Sequence, residues 1–109
     1  MLNQVVLVGR LVSDPSLKDT EGGYKLSNIT LAVPRSFKNV EGSYDTDFIN
    51  CTLWQNVAEN TTEYCKKGDI IGIKGRIETD TYEKDNEKKY ITKVIAEKVT
   101  FLSSKKEEE

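Results

Sequence analysis

Apolar and polar positions alternate with a period of two along most of this 109-residue chain, which divides it into five strand-like segments and one helix. The first segment, residues 4–12 (QVVLVGRLV), is almost wholly apolar, as expected of a strand covered on both faces. Gly9 in its middle suggests a bend or bulge that lets one strand serve two neighbours. Asp14 and Pro15 end it. Glu21, Gly22 and Gly23 form a turn before the second strand, residues 24–33, where Ile29, Leu31 and Val33 alternate with Asn28 and Thr30. Pro34 obscures the phase beyond, so parity assigns Phe37 to neither face. Val40 to Ser43 read as a hairpin tip leading into the third strand, residues 46–55.

That third strand (TDFINCTLWQ) departs from the usual half-buried pattern. Ile49, Cys51 and Leu53 form an apolar face, yet the opposite face carries Phe48 and Trp54 beside Asn50 and Thr52. A solvated face has little reason to hold two large rings. Six residues at ~3.3 Å each set them ~20 Å apart on one surface. Such a platform suits something long and flat, and the stacked bases of a single-stranded nucleic acid fit, because every base has a π-face.

A helix follows, with Asn56 as its cap and Glu59 three residues on, as in a capping box. Val57, Thr61, Tyr64 and Cys65 make its apolar stripe. Lys66 and Lys67 suit the negative end of the helix dipole, and Gly68 supplies a left-handed stop. The fourth strand, residues 69–82, alternates again, with Ile71, Ile73 and Ile77 inward and Lys74, Arg76 and Tyr82 outward. A polar tip from Lys84 to Glu87 turns into the fifth strand, residues 89–102. Five strands with one short helix between the third and fourth is the order of an all-β OB-fold, a five-stranded Greek-key barrel. In that barrel strands two and three and the loop between strands four and five bind oligonucleotides or oligosaccharides. Phe48, Trp54 and Tyr82 fall where such a surface needs them.

Composition narrows the chemistry. The length supports a single domain over residues 1–102, with residues 103–109 a polar tail expected to be disordered. Two cysteines and no histidine leave too few ligands for a structural zinc site, and the commonest general base is missing. Cys51 and Cys65 read as reduced, core-packed thiols. No stretch is long and apolar enough for a membrane span, and the start MLNQ lacks a secretory pattern, so a cytoplasmic, nucleoid-associated protein is expected. The formal charge of −2 argues against a polyanionic partner at face value. The local groove matters more than the total, however, and Glu107, Glu108 and Glu109 bias that total from the tail.

The chain resembles the bacterial and phage single-stranded DNA-binding protein family, in its short form without an acidic C-terminal tip. The resemblance runs through NQVVLVGRLVSDP (residues 3–15), NITLAV and RSFK (within 28–38), TDFINCTLW, AENTTEYCKKGD and GRIETDTY, in order and with family-like spacing. It implies four base-stacking positions, at Phe37, Phe48, Trp54 and Tyr82, and a homotetramer of OB-folds coating single strands in replication, recombination and repair without a cofactor. Three features depart from the family pattern. Glu78 and Asp80 stand where basic residues are common, Asn50 stands where one can occur, and the chain ends KKEEE in place of the tip that recruits replication and repair enzymes. Recruitment through such a tip is therefore doubtful.

Candidate phosphate contacts are Arg10, Arg35, Lys38, Lys66, Lys67, Lys74, Arg76, Lys88 and Lys89. Arg35 and Lys38 rank high because they flank Phe37, and Lys74 and Arg76 because they share parity with Tyr82. Tyr24, Tyr44, Tyr64 and Tyr90 are assigned to packing or loops. Rival readings are an enzyme using Asp45 with Asp47 or Glu78 with Asp80, an oligomerising OB scaffold, and an OB module reading RNA or sugar. The carboxylate pairs sit at i, i+2 with no evident pocket, so solvated surface charge is the better account of them.

Overall fold

The computed structural model describes residues 1–104, and it holds six strands and one helix: β1 (Val5–Leu11), β2 (Lys18–Asp19), β3 (Lys25–Lys38), β4 (Tyr44–Trp54), α1 (Gln55–Tyr64), β5 (Ile70–Lys84) and β6 (Glu87–Ser103). Their order in the sheet is β1-β5-β6-β4-β3-β2, and a second pairing of β1 with β3 closes five of them into a barrel. All neighbours are antiparallel except β4 and β6, which run parallel over Cys51–Leu53 and Val94–Ala96. This is the expected OB barrel, with the two-residue β2 added at the edge of β3.

Closure depends on β1 serving two partners. Its register opposes β5 from Val5 to Arg10 and β3 at Arg10 and Leu11. Gly9 makes the crossover possible, since a Cβ there would come within 2.9 Å of both the Ala32 carbonyl oxygen and the Val33 side chain. The core within is Leu11, Ile29, Leu31, Cys51, Leu53, Ile71, Ile73, Val94 and Ala96, plugged by Ala58 and Cys65 from the helix region. Burial pushes the Cys51 thiol up to about 11, so it is an inert apolar filler.

Several expectations are corrected. The first strand is not covered on both faces in the single chain, because Val6 and Val8 are exposed while Leu7, Gly9 and Leu11 turn inward. Asn56 does not cap the helix. Chain entry is through Gln55, whose φ of +55° turns the backbone directly out of β4, and no side chain caps the end. Tyr64 is exposed, and the packing face centres on the small Ala58 and Thr61, which let the helix lie close to the sheet. The helix stops at Tyr64, so Gly68 (φ +91°) turns a loop beyond it, where Lys66 and Lys67 donate their N–H groups to the Asp69 and Asp14 carboxylates. Ile77 is exposed because β1 ends opposite Gly75. Past that point only the Asn3 side chain continues the ladder, bonding both the N–H and the C=O of Ile77 at 2.8 Å.

Two hairpins outgrow the barrel. β3 continues through Pro34 to Lys38, where it borders β4 alone and a missing N–H costs no ladder bond; its register shifts between Pro34 and Lys38. This shift is why parity could not place Phe37. β5 and β6 pair out to Lys84 and Glu87, joined by Asp85 and Asn86, both at positive φ as a two-residue hairpin turn requires. Ser103, expected to open the tail, is the last residue of β6, opposite Ile70; the remainder of that tail from residue 105 lies outside the described residues.

Candidate nucleic-acid interface

Paired residues on neighbouring strands point to the same face, so the register maps the outer surface directly. Arg76, Ile95, Thr52 and Asn28 form one row across β5, β6, β4 and β3. The Thr52 hydroxyl donates to Asn28 Oδ1 at 3.0 Å. The next row holds Glu78 and Lys93 on one hairpin and Asn50 and Thr30 on the other, with the Thr30 hydroxyl donating to Asn50 Oδ1 at 2.9 Å. Beyond these rows the two hairpins are separate arms.

The aromatics lie along this surface. Phe48, opposite Ala32, is 66% exposed; Trp54, opposite Leu26, is 37% exposed where β4 passes into α1. On the other arm Tyr82, opposite Lys89, is 45% exposed. Phe37 is 64% exposed within the shifted segment near the tip of the first arm. All four expected rings are therefore on the outside, and β4 turns Ile49, Cys51 and Leu53 into the barrel. Tyr24, Tyr44, Tyr64 and Tyr90 are exposed too, so none of them belongs to the barrel core. Tyr24 lines an open concavity with Trp54 and Gln55.

The basic residues are less available than their number suggests. Arg35 grips Asp47 with Nε (3.2 Å to both oxygens) and Nη2 (3.0 Å), and reaches Asp45 at 3.8 Å. That grip holds the Asp47 carboxyl below its usual range. Arg76 pairs with Glu78 at 2.9 Å and Glu97 at 3.6 Å. Arg10 donates Nη1 to the Gly68 carbonyl at 2.7 Å, at the end of β5 remote from Tyr82. Lys89 pairs with Glu87, and the Lys38 ammonium sits 5.9 Å from the centroid of the Tyr44 ring. Lys74 does not join Tyr82: it lies cross-strand from Val6 and Lys98, below the bulge at Gly75. Among the described residues Lys66, Lys67, Lys74 and Lys88 form no ion pair.

Lys93 escaped the reading of the sequence. It stands opposite Glu78, 2.6 Å from Asp80 and 3.8 Å from Glu78, and the Asp80 hydrogen bond raises its pKa. Arg76, Glu78, Lys93, Asp80 and Glu97 thus form one nearly self-neutralised chain of charge. The signal was present: a two-residue turn at Asp85 and Asn86 fixes the hairpin register and puts Lys93 against Glu78.

Comparison with known proteins agrees with this geometry. The family model described as the single-strand binding protein family matches residues 2–102. Single-stranded DNA-binding protein B of Bacillus subtilis is 49% identical over 99% of this chain and 96% of its own length. Single-stranded DNA-binding protein 3 of Listeria innocua is 47% identical over 96% of this chain, which spans 66% of that longer relative. Among solved structures, a deletion mutant of the single-stranded DNA binding protein from Thermus aquaticus superposes with a TM-score of 0.79 at 33% identity, covering 94% of this chain and 51% of that one. The chain belongs to the single-strand binding protein family.

Proposed function

We propose that this protein is a sequence-tolerant, non-enzymatic binder of single-stranded DNA that coats exposed strands in replication, recombination and repair in the bacterial cytoplasm. The observation that carries the reading is the set of exposed rings along the two arms, Phe37, Phe48, Trp54 and Tyr82, in a chain whose relatives are single-stranded DNA-binding proteins. Each stacked base contributes roughly 1–3 kcal/mol, so a few rings account for most of the affinity. Phosphate contacts come from Lys38, Lys66, Lys67, Lys74, Lys88 and Lys89, with Arg10, Arg35 and Arg76 contributing only as far as they leave their present partners. The working unit is a homotetramer. Supporting that assembly, Val6, Val8 and Leu102 leave exposed apolar side chains on the outside of β1 and β6, with Val8 and Leu102 meeting over Gly72.

Trp54 is the sole tryptophan, so its fluorescence reports the interface directly. Titration with oligo-dT, duplex DNA and RNA at two salt concentrations should give strong quenching by the single DNA strand and weak quenching by the duplex. Absence of quenching by any single strand, with oligomers intact, would defeat the reading and leave a scaffold.

A further inference from the structure

We infer that Tyr24 and Trp54 form a base-binding slot, which makes Tyr24 a fifth stacking ring in the track. The inference rests on the single-strand-binding reading and extends it to a residue that neither parity nor the family resemblance singles out.

Tyr24 precedes β3 and is 54% exposed, and with Trp54 and Gln55 it lines an open concavity of about 380 Å³. That volume lies within the range of small-ligand sites. The occupant that fits is one unpaired nucleobase, because the slot continues a surface of exposed aromatics and its walls are mainly two rings. A flat π-system between them stacks without needing a particular pattern of donors and acceptors.

The slot is built, since the chain on either side of the ring is fixed. Tyr24 donates its N–H to Thr20 Oγ1 at 3.2 Å and accepts the Thr20 N–H at 2.8 Å, while the Gly23 N–H bonds the Thr20 carbonyl at 3.0 Å. The Tyr24 ring lies against the Gly22 backbone: a Cβ on Gly22 would come within 2.8 Å of Cε2 and 2.9 Å of Cδ2. Glycine at 22 therefore gives the ring its seat. Across the slot, Gln55 accepts the Lys25 N–H on Oε1 at 3.4 Å, tying the start of β3 to the end of β4. Gln55 itself holds a φ of +55° without being glycine, a costly conformation of the kind that gathers at binding sites. The Lys25 ammonium, paired with Asp19 at 2.9 Å, lies on the residue next to the ring.

The test compares Tyr24→Ala, Tyr24→Leu and Tyr24→Phe in the whole protein, using the anisotropy of labelled oligo-dT for affinity and circular dichroism for thermal stability. Tyr24→Leu still packs on Gly22 but has no π-face. The alanine and leucine variants should each bind oligo-dT about five- to 150-fold more weakly. Their melting temperature and salt dependence should stay at the parent's values, and Tyr24→Phe should bind as the parent does. If Tyr24→Leu binds as tightly as a tightly binding parent, the slot is overturned and the broader reading stands. Weakening that appears only together with lost thermal stability also overturns it, because Tyr24 would then serve the turn alone. If the parent itself fails to bind oligo-dT, the broader reading falls and the slot falls with it.

Discussion

The two arms that leave the barrel are both antiparallel hairpins, finished in opposite ways. The β3–β4 arm carries Phe37 and Phe48 outward, with Trp54 at its base, and its one arginine, Arg35, is locked on Asp47. The β5–β6 arm offers one ring on the face that continues these rows, Tyr82, with Tyr90 on the opposite face, and is otherwise laced by Arg76, Glu78, Lys93, Asp80 and Glu97. On the first arm a ligand would meet π-surface. On the second it would meet Arg76, Lys89 and Lys93, which already have carboxylate partners, with Lys88 outside the ion pairs among the described residues. Stacking energy is insensitive to salt, whereas phosphate neutralisation is steeply sensitive. A single strand lying across both should therefore be held mainly by the first arm, with a shallower salt dependence than the number of basic residues suggests.

The strongest way to break the comparison is to disturb the joint of the second arm. Gly75 lies at the bulge where β5 leaves the barrel, and a Cβ there would collide with the Ile95 carbonyl oxygen. Gly75→Ala should lower stability by about 3 kcal/mol through forced backbone displacement, read from urea unfolding. Stability equal to the parent's would show that the joint is loose.

Next in size, Phe48→Ala and Trp54→Ala should each weaken oligo-dT binding by ~1–3 kcal/mol. Both rings are solvent-facing, so thermal melting should move little. A large drop in melting temperature would reassign them to packing and remove the contrast between the arms.

The smallest expected effect sharpens the electrostatic half. Glu78→Gln with Asp80→Asn releases Arg76 and Lys93 from their nearest carboxylates. Affinity at low salt should rise, and the slope of log affinity against log salt should steepen by roughly 0.7 for each phosphate newly contacted. An unchanged slope would show that neither cation reaches the strand.

Much of the fold was legible in the chain because its period-two alternation is long and its punctuation clear. Gly9 marked the strand that serves two partners, and Ile49, Cys51 and Leu53 marked the inner face of β4. Legibility ended where one strand's pattern depends on another's position. Ile77 continues the inward parity of Ile71 and Ile73, yet its neighbour β1 has already ended, so it is left partly open to solvent. Val6 and Val8 read as buried from their apolarity alone, yet both are exposed among the described residues. At the site, Phe48 and Trp54 could be read because anomalous rings on a polar face are a local signal. Lys93 is legible only through the register that the turn at Asp85 and Asn86 sets, and Tyr24 not at all, since a turn folds it back on Trp54.

The sequence by itself determined the strands, the barrel order and which face of the third strand departs from the half-buried rule. These follow from side-chain periodicity and turn chemistry, which act over a few residues. Only the tertiary structure decided which charges are available and which rings are neighbours. Ion pairs such as Arg35 with Asp47 and Lys93 with Asp80 join residues 12 and 13 positions apart on facing strands, and Tyr24 meets Trp54 across a gap of 30. Contacts of that kind arise from the closure of the barrel and the register of its hairpins, and no local pattern encodes them.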